Sequence, residues 1–181
     1  AGIGRMIIIS KMDGDNINFE ELMSSIHDVF GQEAALFNVP VGHGAGFSGV
    51  VDVLHPTEVA GTLVDPQELH ESLIETIVSV DDSAMERYFE GELPSDEEMA
   101  KLIARGIREG SLIPVFCVSA KTGVGLKELL NGLALYALPS DVLDRTATNS
   151  ADEEIQVKAD ASAPVVAQVF KTRIDPFVQK I

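Results

Sequence analysis

The sequence predicts an α/β fold built on a parallel sheet, and three observations carry that reading. Met6-Ile7-Ile8-Ile9 is a short apolar run ending in β-branched residues, as expected of a strand buried on both faces of a parallel sheet. Leu112–Val118 is a second apolar run, and each run is followed at once by a small polar turn: Ser10-Lys11-Met12-Asp13 after the first, Ser119-Ala120-Lys121 after the second. Between and beyond them lie segments whose apolar residues recur at helical spacing. In open α/β sheets ligands sit just past the carboxyl ends of the strands, where both turns would fall.

The turn chemistry suits a base that offers two donors. An Asp13 carboxylate can accept two N–H bonds from a guanine edge while the Lys11 stem covers the ring face. Taken alone, Lys-x-Asp is a weak signal and reads more readily as a solvated charged turn after a core strand.

Taken in order, the next element is a helix with Phe19, Leu22, Met23, Ile26, Val29 and Phe30 on one face. Asn18 can cap its start, Glu21 stands at the third helical position and Gly31 can close its end. His27 falls on the polar side and reads as a surface residue. Asn38–Val41 and Phe47–Leu54 read as short strands joined by a mobile glycine-rich link, Gly42–Gly46, and Glu58–Val64 as a further strand. The link is not a phosphate-binding loop, since no Gly-Lys-Ser/Thr follows it. Nor is Gly46-Phe47-Ser48-Gly49 a serine-hydrolase elbow, because Val50 stands where the second glycine belongs. Asp52, His55 and Glu58 have no distant partners that would complete a metal site, and read as scattered surface groups.

Asp65-Pro66-Gln67-Glu68 sets a cap, a first-turn proline and a third-position glutamate ahead of a stripe of Leu69, Leu73, Ile77 and Val80, widened by Ile74. Asp82–Phe89 reads as a short helix with Met85, Tyr88 and Phe89 for packing. Ser95 with Glu98 reads as a capping box ahead of Met99, Leu102, Ile103 and Ile107. Residues 65–110 hold thirteen Asp or Glu against four Lys or Arg, so −9 of the net −16 lies there. That surplus reads either as solvated helix faces or as a docking surface for a basic protein. After the second turn, Leu126, Leu129, Leu130, Leu133 and Ala137 predict another helix, ended by Pro139. Residues 140–163 are polar and acidic and read as a linker, and Ala163–Thr172 as a strand.

Composition sets bounds. The 181 residues suffice for one or two small cores, and no apolar run is long enough to span a membrane. Cys117, the sole cysteine, excludes an internal disulfide and reads as core filler. The first residues lack the pattern of a signal peptide, and a cytoplasmic location is expected. A net charge of −16 disfavours direct nucleic-acid binding by this segment.

Lys11-Met12-Asp13 after one strand and Ser119-Ala120-Lys121 after a later one resemble the two base-recognition motifs of GTP-binding G domains. The long stretch between them, with Gly46-Phe47-Ser48-Gly49-Val50-Val51-Asp52, Tyr88-Phe89-Glu90-Gly91-Glu92 and Pro114-Val115-Phe116, resembles the bacterial elongation factor G family. So do Val169-Phe170-Lys171-Thr172 and Asp175-Pro176-Phe177-Val178. The resemblance implies the C-terminal part of a P-loop GTPase-type G domain in two pieces, 1–37 and 111–139, split by an inserted α+β subdomain at 38–110. A linker at 140–163 and the first strand of a β-barrel domain at 164–181 would follow.

It further implies a parent that hydrolyses GTP on the ribosome, with GTP or GDP as ligand, and a contact near the ribosomal stalk protein through the acidic insertion. Nucleotide-binding residues carried over by position are Ser10, Lys11, Asp13, Ser119, Ala120 and Lys121, with the Ala120 amide donating to the base carbonyl. The phosphate loop and magnesium ligands that phosphoryl transfer depends on lie in the family ahead of this segment, so the segment itself is expected to hydrolyse nothing. Three departures stand out: Ser10 replaces the family's Asn, Lys121 matches the small-GTPase form, and His55–Pro66 is short. The first two suggest a divergent paralogue and leave open a second function, a protein-interaction module that no longer binds nucleotide.

Overall fold

The computed structural model describes residues 3–139, 145–169 and 171–172. In chain order the elements are β1 (Ile7–Ile9), α1 (Phe19–Phe30), β2 (Ala34–Leu36), β3 (Asn38–Val41), β4 (Gly49–Asp52), α2 (Pro66–Val78), α3 (Asp82–Phe89), α4 (Asp96–Glu109), β5 (Ile113–Cys117), α5 (Leu126–Tyr136), β6 (Arg145–Thr148) and β7 (Glu154–Val157). The chain divides after Leu138 into two units.

The first unit is α/β around a parallel sheet of order β1-β5-β2, with Ile7 opposite Val115, Ile9 opposite Cys117, and Leu36 opposite Val115 on the other side. All five residues of β5 are buried. Because successive side chains of a strand point to opposite faces, Ile113, Val115 and Cys117 enter one core with Ile9, Met12, Phe19 and Ile26. Leu112, Phe116 and Val118 enter the other, with Leu73, Ile77, Ile103, Ile107, Leu129 and Tyr136 from α2, α4 and α5. Helices therefore cover both faces of the sheet.

β1 departs from the expectation of burial on both faces. Ile9 is buried but Ile8 is 48% exposed, because among the described residues β1 pairs only with β5 and lies at the sheet edge.

The expected caps form. Asn18 accepts from Glu21 N–H at 3.2 Å, Asp65 from Gln67 N–H at 2.8 Å, and Gly31 closes α1 at φ +79°. At α4 only half of the capping box exists: Ser95 Oγ accepts from Glu98 N–H at 3.4 Å, while the Glu98 carboxylate pairs with Arg87 instead of returning to Ser95. Buried faces differ from the predicted packing residues in three helices. Val29 of α1 is 74% exposed, and α5 buries Leu129, Gly132 and Tyr136 rather than Leu130 and Leu133. At Gly132 a Cβ would stand 2.5 Å from the Phe116 ring, so the glycine sets how closely α5 approaches β5. Phe89, expected to pack, points to solvent, and Ala84 is the buried residue of α3. His27 is half-buried rather than a surface group, its Nε2 lying 3.0 Å from Ala34 O.

β3 and β4 form an antiparallel hairpin, Val39 opposite Val51. Glu58–Val64 is not a strand, contributing only an isolated bridge between Thr62 and Val41. The second unit holds β6 and β7, an antiparallel hairpin in the stretch read as a linker. Its turn is organised by Asn149, whose side chain accepts from Ala151 and Glu153 N–H at 2.8 and 3.0 Å. No strand forms over residues 163–169 and 171–172, where Val165, Val166 and Val169 are exposed; the remainder of the predicted C-terminal strand, Phe170 and 173–181, lies outside the described residues. Strand backbone needs a ladder partner, and the described residues offer none to this stretch.

Candidate functional site

Both polar turns leave the same end of the sheet because β1 and β5 are parallel neighbours. The backbone stitches them together past the last paired residues: Val118 N–H donates to Ile9 O at 2.9 Å and Met12 N–H to Val118 O at 3.2 Å. Met12 is fully buried, an apolar plug beneath the first turn. Lys11, at φ +61°, makes the left-handed bend that separates β1 from Asp13.

The side chains complete the junction. Ser119, itself buried, donates from Oγ to Asp13 Oδ1 at 2.5 Å, and its Oγ accepts from Thr122 N–H at 3.1 Å. Lys121 Nζ lies 3.9 Å from Asp13 Oδ2; Asp13 is 15% exposed and Lys121 86%. The Ser119 hydrogen bond, helped by Asp13's own backbone and Lys121 and opposed by desolvation, holds the Asp13 carboxyl below the ordinary aspartate value. An ionised carboxylate has about four acceptor positions. Ser119 uses one, so capacity remains for a ligand with two adjacent donors. The Ala120 amide has no acceptor among the described residues, and Ser10, Lys11, Ala120 and Lys121 are all exposed around Asp13's turn and its partner.

Of the six residues selected from the sequence, Asp13, Ser119 and Lys121 thus meet directly, with Ala120 between the last two. Ser10 and Lys11 stand on the adjoining turn and make no side-chain hydrogen bond among the described residues. Two participants carry no sequence signal of their own. Asn38, fully buried, accepts from Cys117 N–H at 2.7 Å and donates to Cys117 O at 3.2 Å; Gly44 N–H donates to Met12 O at 2.8 Å. The glycine-rich link, read as a mobile loop, is packed onto the first turn.

Other chemistry is poorly served. Burial pushes the Cys117 thiol up to about 12, so it is no nucleophile at neutral pH. Among the described residues no cluster of three His, Cys, Asp or Glu could hold a metal ion. Asp52 is engaged in a turn, accepting from Leu54 and His55 N–H. A cleft of about 960 Å³ between α1, β2 and α2 is lined by Phe19, Met23, His27, Leu36, Leu69 and Thr76, and by none of the six residues.

Elongation factor G of Fervidobacterium nodosum is 34% identical over 197 aligned residues, 99% of this chain. The chain is homologous to part of elongation factor G. It spans 28% of that relative's length. A crystal structure from Thermus thermophilus superposes with a TM-score of 0.64 at 27% identity, over 78% of this chain and 23% of the solved one. No protein-family model matches. The homology extends over both turns and the whole acidic interval, and the parallel sheet agrees with a GTPase-related fold. Among the described residues no helix is long and apolar enough to cross a membrane.

Proposed function

We propose that this chain supplies the guanine-recognition half of a GTP site in an elongation-factor-G-like translational GTPase that works on the ribosome. The observation that carries the reading is the junction of the two turns: Asp13, held ionised and oriented by Ser119, stands beside the exposed Ala120 amide and the Lys11 stem. A guanine edge presents two donors to a carboxylate and a carbonyl to an amide, and this set of groups matches both. Residues 1–37 and 111–139 are the two pieces of the G domain, 38–110 the insertion, and 140–163, with its hairpin, the connection to a following domain. The exposed valines after residue 163 find their ladder in that domain.

The insertion is the docking surface. Its arginines are largely spent within it, Arg87 on Glu98 and Arg105 on Asp81 and Glu109, which leaves the acidic surplus facing outward. A basic partner, of which the ribosomal stalk protein is the expected example, would be drawn to it.

Fluorescent GDP binding to the full-length protein tests the reading. Displacement by GDP and GTP, but not by ADP, is expected. A protein that binds no nucleotide is instead an interaction module derived from the same fold, and one that binds ADP as well contradicts guanine recognition.

A further inference from the structure

We infer that the β3–β4 hairpin is a brace for guanine recognition, in which Asn38 positions the second turn and Gly44 the first. The inference rests on the guanine-site reading and deepens it.

Asn38 acts as a surrogate strand residue. β2 pairs with β5 only as far as Leu36 opposite Val115, after which Phe37 N–H donates to Val115 O at 2.9 Å. The next β5 residue facing that edge is Cys117, and among the described residues no backbone group bonds it there. The Asn38 carboxamide supplies both missing partners at once, an acceptor for Cys117 N–H and a donor for Cys117 O. Without it a buried peptide two residues before Ser119 would lose both bonds. The same carbonyl is crowded from another side by Gly125, where a Cβ would stand 2.3 Å from Cys117 O. The end of β5 is therefore fixed on all sides, and Ser119 with it.

Gly44 does the corresponding work for the first turn. Its N–H bonds the carbonyl of Met12, the residue between Lys11 and Asp13, and its Cα sits at φ +58°. A Cβ there would meet Gly14 O at 3.2 Å. One hairpin thus grips both turns, and its two grips are independent of the direct Asp13–Ser119 bond. A small displacement of either turn would spoil the paired geometry that Asp13 offers to a base.

The reporter is preference for GDP over IDP, because inosine lacks the exocyclic amine that Asp13 would accept. The full-length protein is measured by competition against fluorescent GDP, with Asp13→Asn as the control for the site itself. Asn38→Leu removes both carboxamide bonds, and Gly44→Ala strains the other grip without touching Asn38. Val39→Ala, the next residue of the same strand, trims a buried apolar side chain that makes neither bond, and lowers stability without releasing either turn. The brace predicts that Asn38→Leu and Gly44→Ala each cut the preference by about tenfold, the scale of one lost hydrogen bond to a charged group. Val39→Ala should keep it while unfolding at lower temperature. Wild-type preference in both Asn38→Leu and Gly44→Ala, with Asp13→Asn still reducing it, would overturn the brace and leave the guanine site standing. So would an equal loss in Val39→Ala. An Asp13→Asn protein with unchanged preference would overturn the guanine-site reading and the brace together.

Discussion

Ser119 Oγ donates to Asp13 Oδ1 at 2.5 Å, a bond between residues 106 apart in sequence. It makes two turns, each unremarkable alone, into one acceptor of fixed orientation. The hydroxyl is buried and the carboxylate is partly exposed, so in the proposed site Ser119 would act on a base through Asp13 rather than by touching it.

Ser119→Ala should therefore change pH dependence as well as affinity. The Asp13 pKa is lowered in the folded state, with the Ser119 bond as the largest cause. A depressed carboxyl pKa stabilises the fold above the unfolded value, about 3.9, and that stabilisation is lost as pH falls through the lowered folded value. Ser119→Ala should thus be less stable than wild type near neutral pH, with the gap closing as the solution is acidified through that window. Urea unfolding midpoints followed from neutral pH down through the carboxylate range measure this; a gap that stays constant with pH would remove Asp13 ionisation from the account.

Gly125→Ala should be among the most damaging single-methyl changes. Gly125 sits at φ +78° as the residue before α5, and the new Cβ would lie 2.3 Å from the Cys117 carbonyl oxygen, a backbone atom that cannot turn aside. Left-handed strain costs about 1 kcal/mol, and the displacement of β5 or α5 adds more, so a loss of about 2–4 kcal/mol is expected. The better helix propensity of alanine does not offset this, because Gly125 lies outside the helix interior. Denaturant titration reports the loss directly; a change below about 0.5 kcal/mol, the ordinary range of surface substitutions, would show that the turn relaxes freely.

The parts of this molecule legible from sequence are those fixed by local chemistry. Asn18, Asp65 and Ser95 announce helix starts because their side chains reach backbone only two or three residues ahead. The run at β5 is legible because it is apolar throughout and buried throughout. What was hidden depends on distant partners. β2, Ala34-Ala35-Leu36, is too short to show a period and forms because β5 offers it an edge. Asn38 gives no sign that its carboxamide replaces a strand residue, since its partner Cys117 lies 79 positions away. Leu130 and Leu133 look like core, yet Gly132 lets the other side of α5 approach Phe116. Within the site, residue types and order were readable, whereas the grip of the glycine-rich link on Met12 was not.

The acidic helices predict salt-sensitive docking. Titration of the full-length protein with the C-terminal domain of the ribosomal stalk protein should show binding at low ionic strength that weakens steadily as salt is added. Screening acts over about 8 Å at physiological ionic strength, short enough to uncouple exposed charges that are not in contact. The internal pairs are not the source of the effect: Arg87 and Glu98 are both more than a third exposed, so Glu98→Gln should leave the unfolding midpoint nearly unchanged. No binding at low salt would make the −9 surplus of residues 65–110 a solvated face and nothing more.

The most direct test of the central claim is the Asp13→Asn exchange in the full-length protein. The Asp13 carboxylate is proposed to accept from the ring N–H and the exocyclic amine of guanine, whereas xanthine carries a carbonyl oxygen in place of that amine. An Asn carboxamide can donate to that oxygen, so the exchange should weaken GTP binding and favour xanthosine triphosphate. Competition binding with both nucleotides reads the reversal in one experiment. Weaker GTP with stronger xanthosine triphosphate is the predicted result; unchanged GTP affinity would make Asp13 a charged turn after a core strand and contradict the assignment of the site.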